Sequence, residues 1–217
     1  MKRFPKDPRP AETLLPFHMR VRRRTPWLQT ALMLVLMPLL IMMARLRVRG
    51  KENIPDGGYL VVGNHPSNFD PLFVALAVGR RIRFMGKSEL FNSRWGKFFT
   101  RLGGFPVRRG VWDTEAFKTA EEVLNRGRVV AMFLGGGVHE EEVPAKPGGG
   151  YLAHVTGATV LPVYLEGTRS MYKPWIWPKV RVTIGEPIKV EHDPAPTRER
   201  SQATAQQLFD RVYALKR

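Results

Sequence analysis

His65 and Asp70 stand five residues apart in NHPSNFD, residues 64–70, and regular structure alone cannot make them meet. On a straight helix five residues turn a side chain by roughly 140°, and on a strand an odd separation puts the two on opposite faces. A corner is required. If one forms, the chemistry is specific. Imidazole gains and loses a proton near neutral pH, and a carboxylate held on one ring nitrogen fixes the tautomer and leaves the other nitrogen free to act as a base. Competing chemistries are scarce. The chain has no cysteine, which removes thiolate metal sites, disulfides and a cysteine nucleophile, and the spacing of His18, His139, His154 and His192 offers no metal triad.

The surrounding sequence supplies the corner. YLVVG, 59–63, reads as a short buried strand, Pro66 pushes His65 away from helical dihedrals, and FDPLFVALAV, 69–78, has the apolar content of a helix packed on a sheet. A cap on that helix is the competing role for Asp70. Beyond it, strands are expected over 82–86, 105–108, 129–134, 159–165 and 179–184. Helices are expected over 93–102, 114–126, 151–156 and 198–215, with a glycine-rich, acidic loop over 135–150. Continuous Val/Ile/Leu strands separated by amphipathic helices imply an α/β fold: a mostly parallel sheet with helices on both faces.

Charge and hydropathy divide the chain. Net charge is +16 over 217 residues, and residues 1–51 hold twelve Lys/Arg against two acids. Residues 1–26 read as a basic, Pro/Arg-rich arm without apolar periodicity, best left unstructured. Residues 27–46 read as a membrane-associated apolar helix, and 47–217 as the catalytic domain. The apolar run 27–44 gives about 27 Å of helix against a bilayer core of roughly 30 Å. Gln29 and Pro38 weaken it as a span, and arginines on both flanks suit anionic headgroups. The expectation is a helix, or a Pro38-broken pair, lying in one leaflet. Nucleic-acid binding would rest on charge alone, because the basic excess surrounds an apolar helix and no recognition motif accompanies it.

Taken together, these features resemble the glycerolipid acyltransferase family over about residues 48–190. Asn64, His65, Ser67 and Asp70 match its Asn-His-x-Ser-x-x-Asp signature. Gly103, Gly104, Phe105, Pro106, Val107, Arg108 and Arg109 are similar to its second, with Arg109 at the arginine position, and 160–165 resembles its proline-containing strand. The third signature, Phe-Pro-Glu-Gly-Thr-Arg, survives only as Phe133 and Gly136, because Gly135 replaces the Glu and Val138 the Arg. EGTRS at 166–170 lies too late in the order to replace it, whereas Glu140, Glu141 and Glu142 could return a carboxylate.

The resemblance implies a membrane-bound O-acyltransferase on the cytoplasmic face of the cell membrane. It would move a fatty acyl group from an acyl-CoA or acyl carrier protein thioester to a lyso-glycerolipid hydroxyl, lysophosphatidate to phosphatidate first, with no cofactor, metal or nucleic acid. His65 would be the base and Asp70 its orienting partner. Asn64, Ser67, Lys87, Arg109, Gly135 and Gly136 would contact substrate, the cations at phosphate and glycine N–H groups at the oxyanion. The altered third signature keeps two alternatives open: a non-phosphate lyso-lipid acceptor, and a catalytically silent lipid binder.

Overall fold

In the structure, a computed structural model that describes residues 11–24, 27–92, 94–138, 143–173 and 178–216, the expected strands and one further edge strand assemble into one sheet. They are β1 (Arg47–Arg49), β2 (Tyr59–Gly63), β3 (Ile82–Lys87), β4 (Gly104–Val107), β5 (Val129–Phe133), β6 (Thr159–Glu166) and β7 (Arg181–Ile184). Their order is β1-β7-β6-β2-β5-β3-β4. Pairing is parallel throughout except between β6 and β7. Alternation along β2 divides the core: Leu60 and Val62 face one side, Tyr59 and Val61 the other.

Helix α3 (Asp70–Val78) covers the second face, and its Phe73 to Val78 are buried nearly all round. This explains why the helix shows no polar stripe. The first face is covered by α6 (Thr114–Asn125), α7 (Gly148–Thr156) and α8 (Arg198–Tyr213). Side chains such as Leu152, Leu208 and Val123 are wholly enclosed there, each stabilising the domain by roughly 1.5–3 kcal/mol.

One expectation needs correction at the N-terminus. The arm expected to lack structure is, over its described part, a 3-10 turn (Ala11–Leu14) followed by helix α1 (Leu15–Arg23). Its inward stripe is Leu14, His18, Val21 and Arg22, which has helical spacing but only two apolar members, so no apolar period announced it. The polar members are satisfied across the interface with α6. The Thr119 hydroxyl accepts from Arg22 Nε at 3.1 Å and pairs with His18 Nδ1 at 2.9 Å, and Arg22 also bonds Glu115.

The apolar run forms a single helix, α2 (Trp27–Met43), which continues through Pro38 rather than breaking. Pro38 is exposed and the helix forgoes one backbone bond there. No described helix is long and apolar enough to cross a membrane. Gln29 and Met33 pack inward, while Trp27, Leu34, Val35 and Met42 are exposed.

Elsewhere the differences are local. The helix expected over 93–102 is the shorter α5 (Gly96–Arg101), and a further short helix that was not expected, α4 (Ser88–Asn92), precedes it. A Cβ on Gly96 would fall 2.1 Å from the Phe91 carbonyl oxygen, so the chain reverses there at a distance only glycine allows. The edge strand β1 has three residues with exposed flanks, too short a pattern to read.

Candidate active site

Parallel α/β sheets bind ligands beyond the carboxyl ends of their strands, where neighbouring connections diverge. Here β2 lies between β5 and β6, and the corner leaving β2 carries His65. The corner is built by its own residues. Asp70, fully buried at the start of α3, accepts from the Ser67 main-chain N–H at 2.8 Å and lies 2.6 Å from His65 Nδ1, both through Oδ2. Asp70 makes no side-chain cap, so it serves the histidine and not the helix. A proton on Nδ1 then leaves Nε2 as the free base.

Two residues expected to contact substrate are parts of this frame. Ser67 is fully buried and its hydroxyl accepts from the Phe69 N–H at 3.2 Å, so it shapes the turn. Asn64 uses both ends of its amide on Leu165 of β6: the carbonyl oxygen accepts from the Leu165 N–H at 2.8 Å, and the NH₂ donates to the Leu165 carbonyl at 2.9 Å. That staple fixes the residue before His65 to the neighbouring strand.

The imidazole is also held from above. The Phe133 ring at the end of β5 stacks on it with centroids 4.0 Å apart and planes 9° from parallel. The expectations kept Phe133 as a surviving signature residue without giving it a task. The loop that follows is pinned by Leu134 N–H to the Gly63 carbonyl at 3.1 Å, and Gly136 N–H donates to the Phe133 carbonyl at 3.0 Å. Gly136 is therefore excluded as an oxyanion donor, which leaves the N–H groups of Gly135 and Gly137.

His65 borders three cavities. One of about 660 Å³ runs between α3, α4 and α5 and is lined by apolar side chains including Leu72, Phe84, Leu90, Phe99 and Leu102, together with Lys87 and Arg109. A second, of about 340 Å³, contains Arg109, Trp112, Gly136 and Lys146. The third, of about 280 Å³, holds Glu166, Tyr213 and Lys216. Lys87 and Arg109 thus line cavities that His65 also borders. Arg108 lines the second of them too, with its guanidinium tied to buried Asp113, whose carboxylate also accepts from the Arg108 main-chain N–H at 2.8 Å. Burial pushes Arg109 below the usual guanidinium range, opposed by nearby Glu89. Residues 139–142 lie outside the described residues, and with them the carboxylates expected to compensate for Gly135. Among the described residues no cluster of His, Asp and Glu could hold a metal.

His154 and His192 are remote from this site. His154 is buried, its ring nitrogens 2.8 Å from the Glu191 carbonyl and 2.9 Å from the Thr204 hydroxyl.

Comparison with known proteins agrees with the architecture. The family model described as Acyltransferase matches residues 45–166. A curated 1-acyl-sn-glycerol-3-phosphate acyltransferase of Bacillus subtilis strain 168 is 31% identical over 175 residues, which are 78% of this chain and 87% of the relative. The crystal structure of the 1-acyl-sn-glycerophosphate acyltransferase PlsC from Thermotoga maritima superposes with a TM-score of 0.60 at 23% identity, covering 94% of this chain and 97% of that one. The corner, the arginine beyond β4 and the sheet order all lie within or beside the matched segment, and the chain belongs to the acyltransferase family.

Proposed function

We propose that this protein acylates the free hydroxyl of lysophosphatidate to give phosphatidate, a step of phospholipid biosynthesis, using a fatty acyl thioester of coenzyme A or acyl carrier protein. The observation that carries the reading is the position of the His65–Asp70 pair, its carboxylate buried and Nδ1 and Oδ2 2.6 Å apart, where two largely apolar cavities that share Arg109 meet, one of them also holding Lys87 and the other Lys146. A lyso-lipid with an anionic head, meeting an activated acyl chain, has that polarity. The name of the Bacillus subtilis relative, 31% identical, supports the same acceptor.

His65 Nε2 takes the hydroxyl proton as the oxygen attacks the thioester carbon. The N–H groups of Gly135 and Gly137 receive the developing oxyanion. Collapse forms the ester and expels the thiolate, which recovers the proton from the imidazolium. Asp70 stays ionised and holds the ring. The thiol is a good leaving group, so positioning and proton transfer suffice, the latter contributing about 10² to 10⁴. Attachment to the cytoplasmic face of the membrane would use the exposed side of α2 together with Trp95 and Phe98.

The test offers acyl-CoA and acyl carrier protein thioesters against lysophosphatidate and monoacylglycerol, with thiol release as the readout. Acceptor-dependent release, about 10³-fold lower in His65→Ala and Asp70→Asn, is expected. Release only with the neutral lipid would move the reading to a non-phosphate acceptor. Wild-type protein that binds these lipids and releases no thiol would make it a silent binder.

A further inference from the structure

The third signature's arginine is missing: Val138 stands in its place, exposed along the apolar cavity. Lys146, however, lines the cavity that also holds Arg109, from the segment that leads into α7.

Its position is fixed by the backbone. Lys146 N–H donates to the Leu134 carbonyl at 3.0 Å, and the preceding residue, buried Ala145, receives at its carbonyl from Gln202 of α8 at 2.8 Å. Both bonds hold the segment against the end of β5. The side chain then lies across Gly136. A Cβ added to that glycine would be 2.7 Å from Lys146 Nζ, 2.8 Å from Cδ and 3.0 Å from Cε. The glycine turn, whose Gly136 has φ of +69°, therefore leaves the space that the ammonium and its stem fill. Lys146 and Arg109 line one cavity, and burial, then the charge of Arg109, push Lys146 below the usual lysine range. Two cationic side chains in a cavity that the base His65 also lines suit a phosphate, whose several oxygens can accept from both.

We propose that Lys146 and Arg109 form a clamp on the phosphate of the acceptor, with Lys146 replacing the arginine lost at Val138 and Gly136 kept small so that it can reach. The clamp rests on the lysophosphatidate reading above. It separates that reading from the neutral-acceptor alternative, because monoacylglycerol gives the ammonium nothing to hold.

The experiment measures binding of lysophosphatidate and of monoacylglycerol to the full-length protein in one detergent, by calorimetry, beside KM and kcat for each. Lys146→Met is expected to weaken lysophosphatidate binding by about tenfold to a hundredfold, the range for a hydrogen bond between charged groups. Monoacylglycerol binding should stay within about twofold, and Lys146→Arg should restore most of the loss. Gly136→Ala, which displaces the lysine without removing it, should shift the same ratio in the same direction. Equal weakening toward both lipids in Lys146→Met would assign the lysine to loop structure and overturn the clamp. So would a Lys146→Met protein that keeps the wild-type preference for phosphate, with the acceptor reading left intact. A wild type indifferent to the phosphate overturns the acceptor reading and the clamp together.

Discussion

The imidazole of His65 and the ring of Phe133 lie face to face at 4.0 Å and 9°, so the base is clamped between a carboxylate in its plane and an aromatic surface above it. The carboxylate alone leaves the ring free to swing about the bond to Asp70. The stacked ring removes that freedom. A pair of this kind contributes about 1 kcal/mol beyond area burial. Phe133→Leu should therefore lower kcat by about fivefold to tenfold with lysophosphatidate KM within about twofold, and Phe133→Tyr should retain most of the rate. Steady-state kinetics at several acyl lengths check this. A kcat in the leucine variant equal to wild type would show that Asp70 alone fixes the ring.

The extent to which this site could be read from sequence follows from the distance along the chain over which each contact acts. The His65–Asp70 pair was legible because five residues, one proline and two flanking apolar runs decide it locally. The order of strands was legible because buried parallel strands are unbroken apolar runs. What escaped depends on remote partners. Asn64 looked like a substrate contact because nothing near it shows that Leu165 takes both ends of its amide, 101 residues away. Helix α1 looked like loose basic chain because half of its inward stripe is His18 and Arg22, whose partners lie on α6. Lys146 drew no attention because its only local signal is a cation before three glycines, and its meaning comes from Arg109 in space.

The burial of His18 makes stability depend on pH. Its ring is 1% exposed, and desolvation pushes it down from 6.5 to about 4. The charges facing it act in both directions: Asp113 and Glu115 favour the protonated form, Arg22 and Arg108 oppose it. In the unfolded chain the same ring takes a proton near 6.5, so between that pH and about 4 the unfolded state binds a proton that the folded state refuses. Stability is therefore full above 6.5 and falls as the pH drops toward 4, by roughly 3 kcal/mol from this group. His18→Asn, whose amide can still donate to Thr119, should lose that component. The test is the melting temperature measured from pH 7.5 to 4.5: the wild type should fall more steeply, by roughly 5–10 °C over the interval, and parallel curves would remove His18 as the cause.

Membrane attachment is better tested by changing surfaces than by deletion, because removing residues before 47 would also strip Leu14, His18 and Val21 from the core face. Two exposed apolar sets remain to be challenged in place. On α2 they are Leu34 at 70% and Val35 at 73% exposure; beside α5 they are Trp95 at 53% and Phe98 at 39%. Arg94 lies over the Trp95 ring at 5.4 Å, and Lys97 and Arg101 are exposed on the same short helix, so this second set joins aromatic side chains to cations in the manner of an anionic lipid contact. Trp95→Ala with Phe98→Ala should lower partitioning onto vesicles containing phosphatidylglycerol by about tenfold or more. Arg94→Gln with Lys97→Gln should remove mainly the salt-sensitive part, at about 1 kcal/mol per charge. Leu34→Gln with Val35→Gln should weaken binding to zwitterionic vesicles as well, because apolar insertion does not depend on lipid charge. Turnover of short-chain substrates in detergent should change little in all three variants, since none of these side chains lines the cavities at His65. Vesicle sedimentation decides the matter: if the Trp95/Phe98 variant binds like wild type while the Leu34/Val35 variant is released, α2 is the sole anchor.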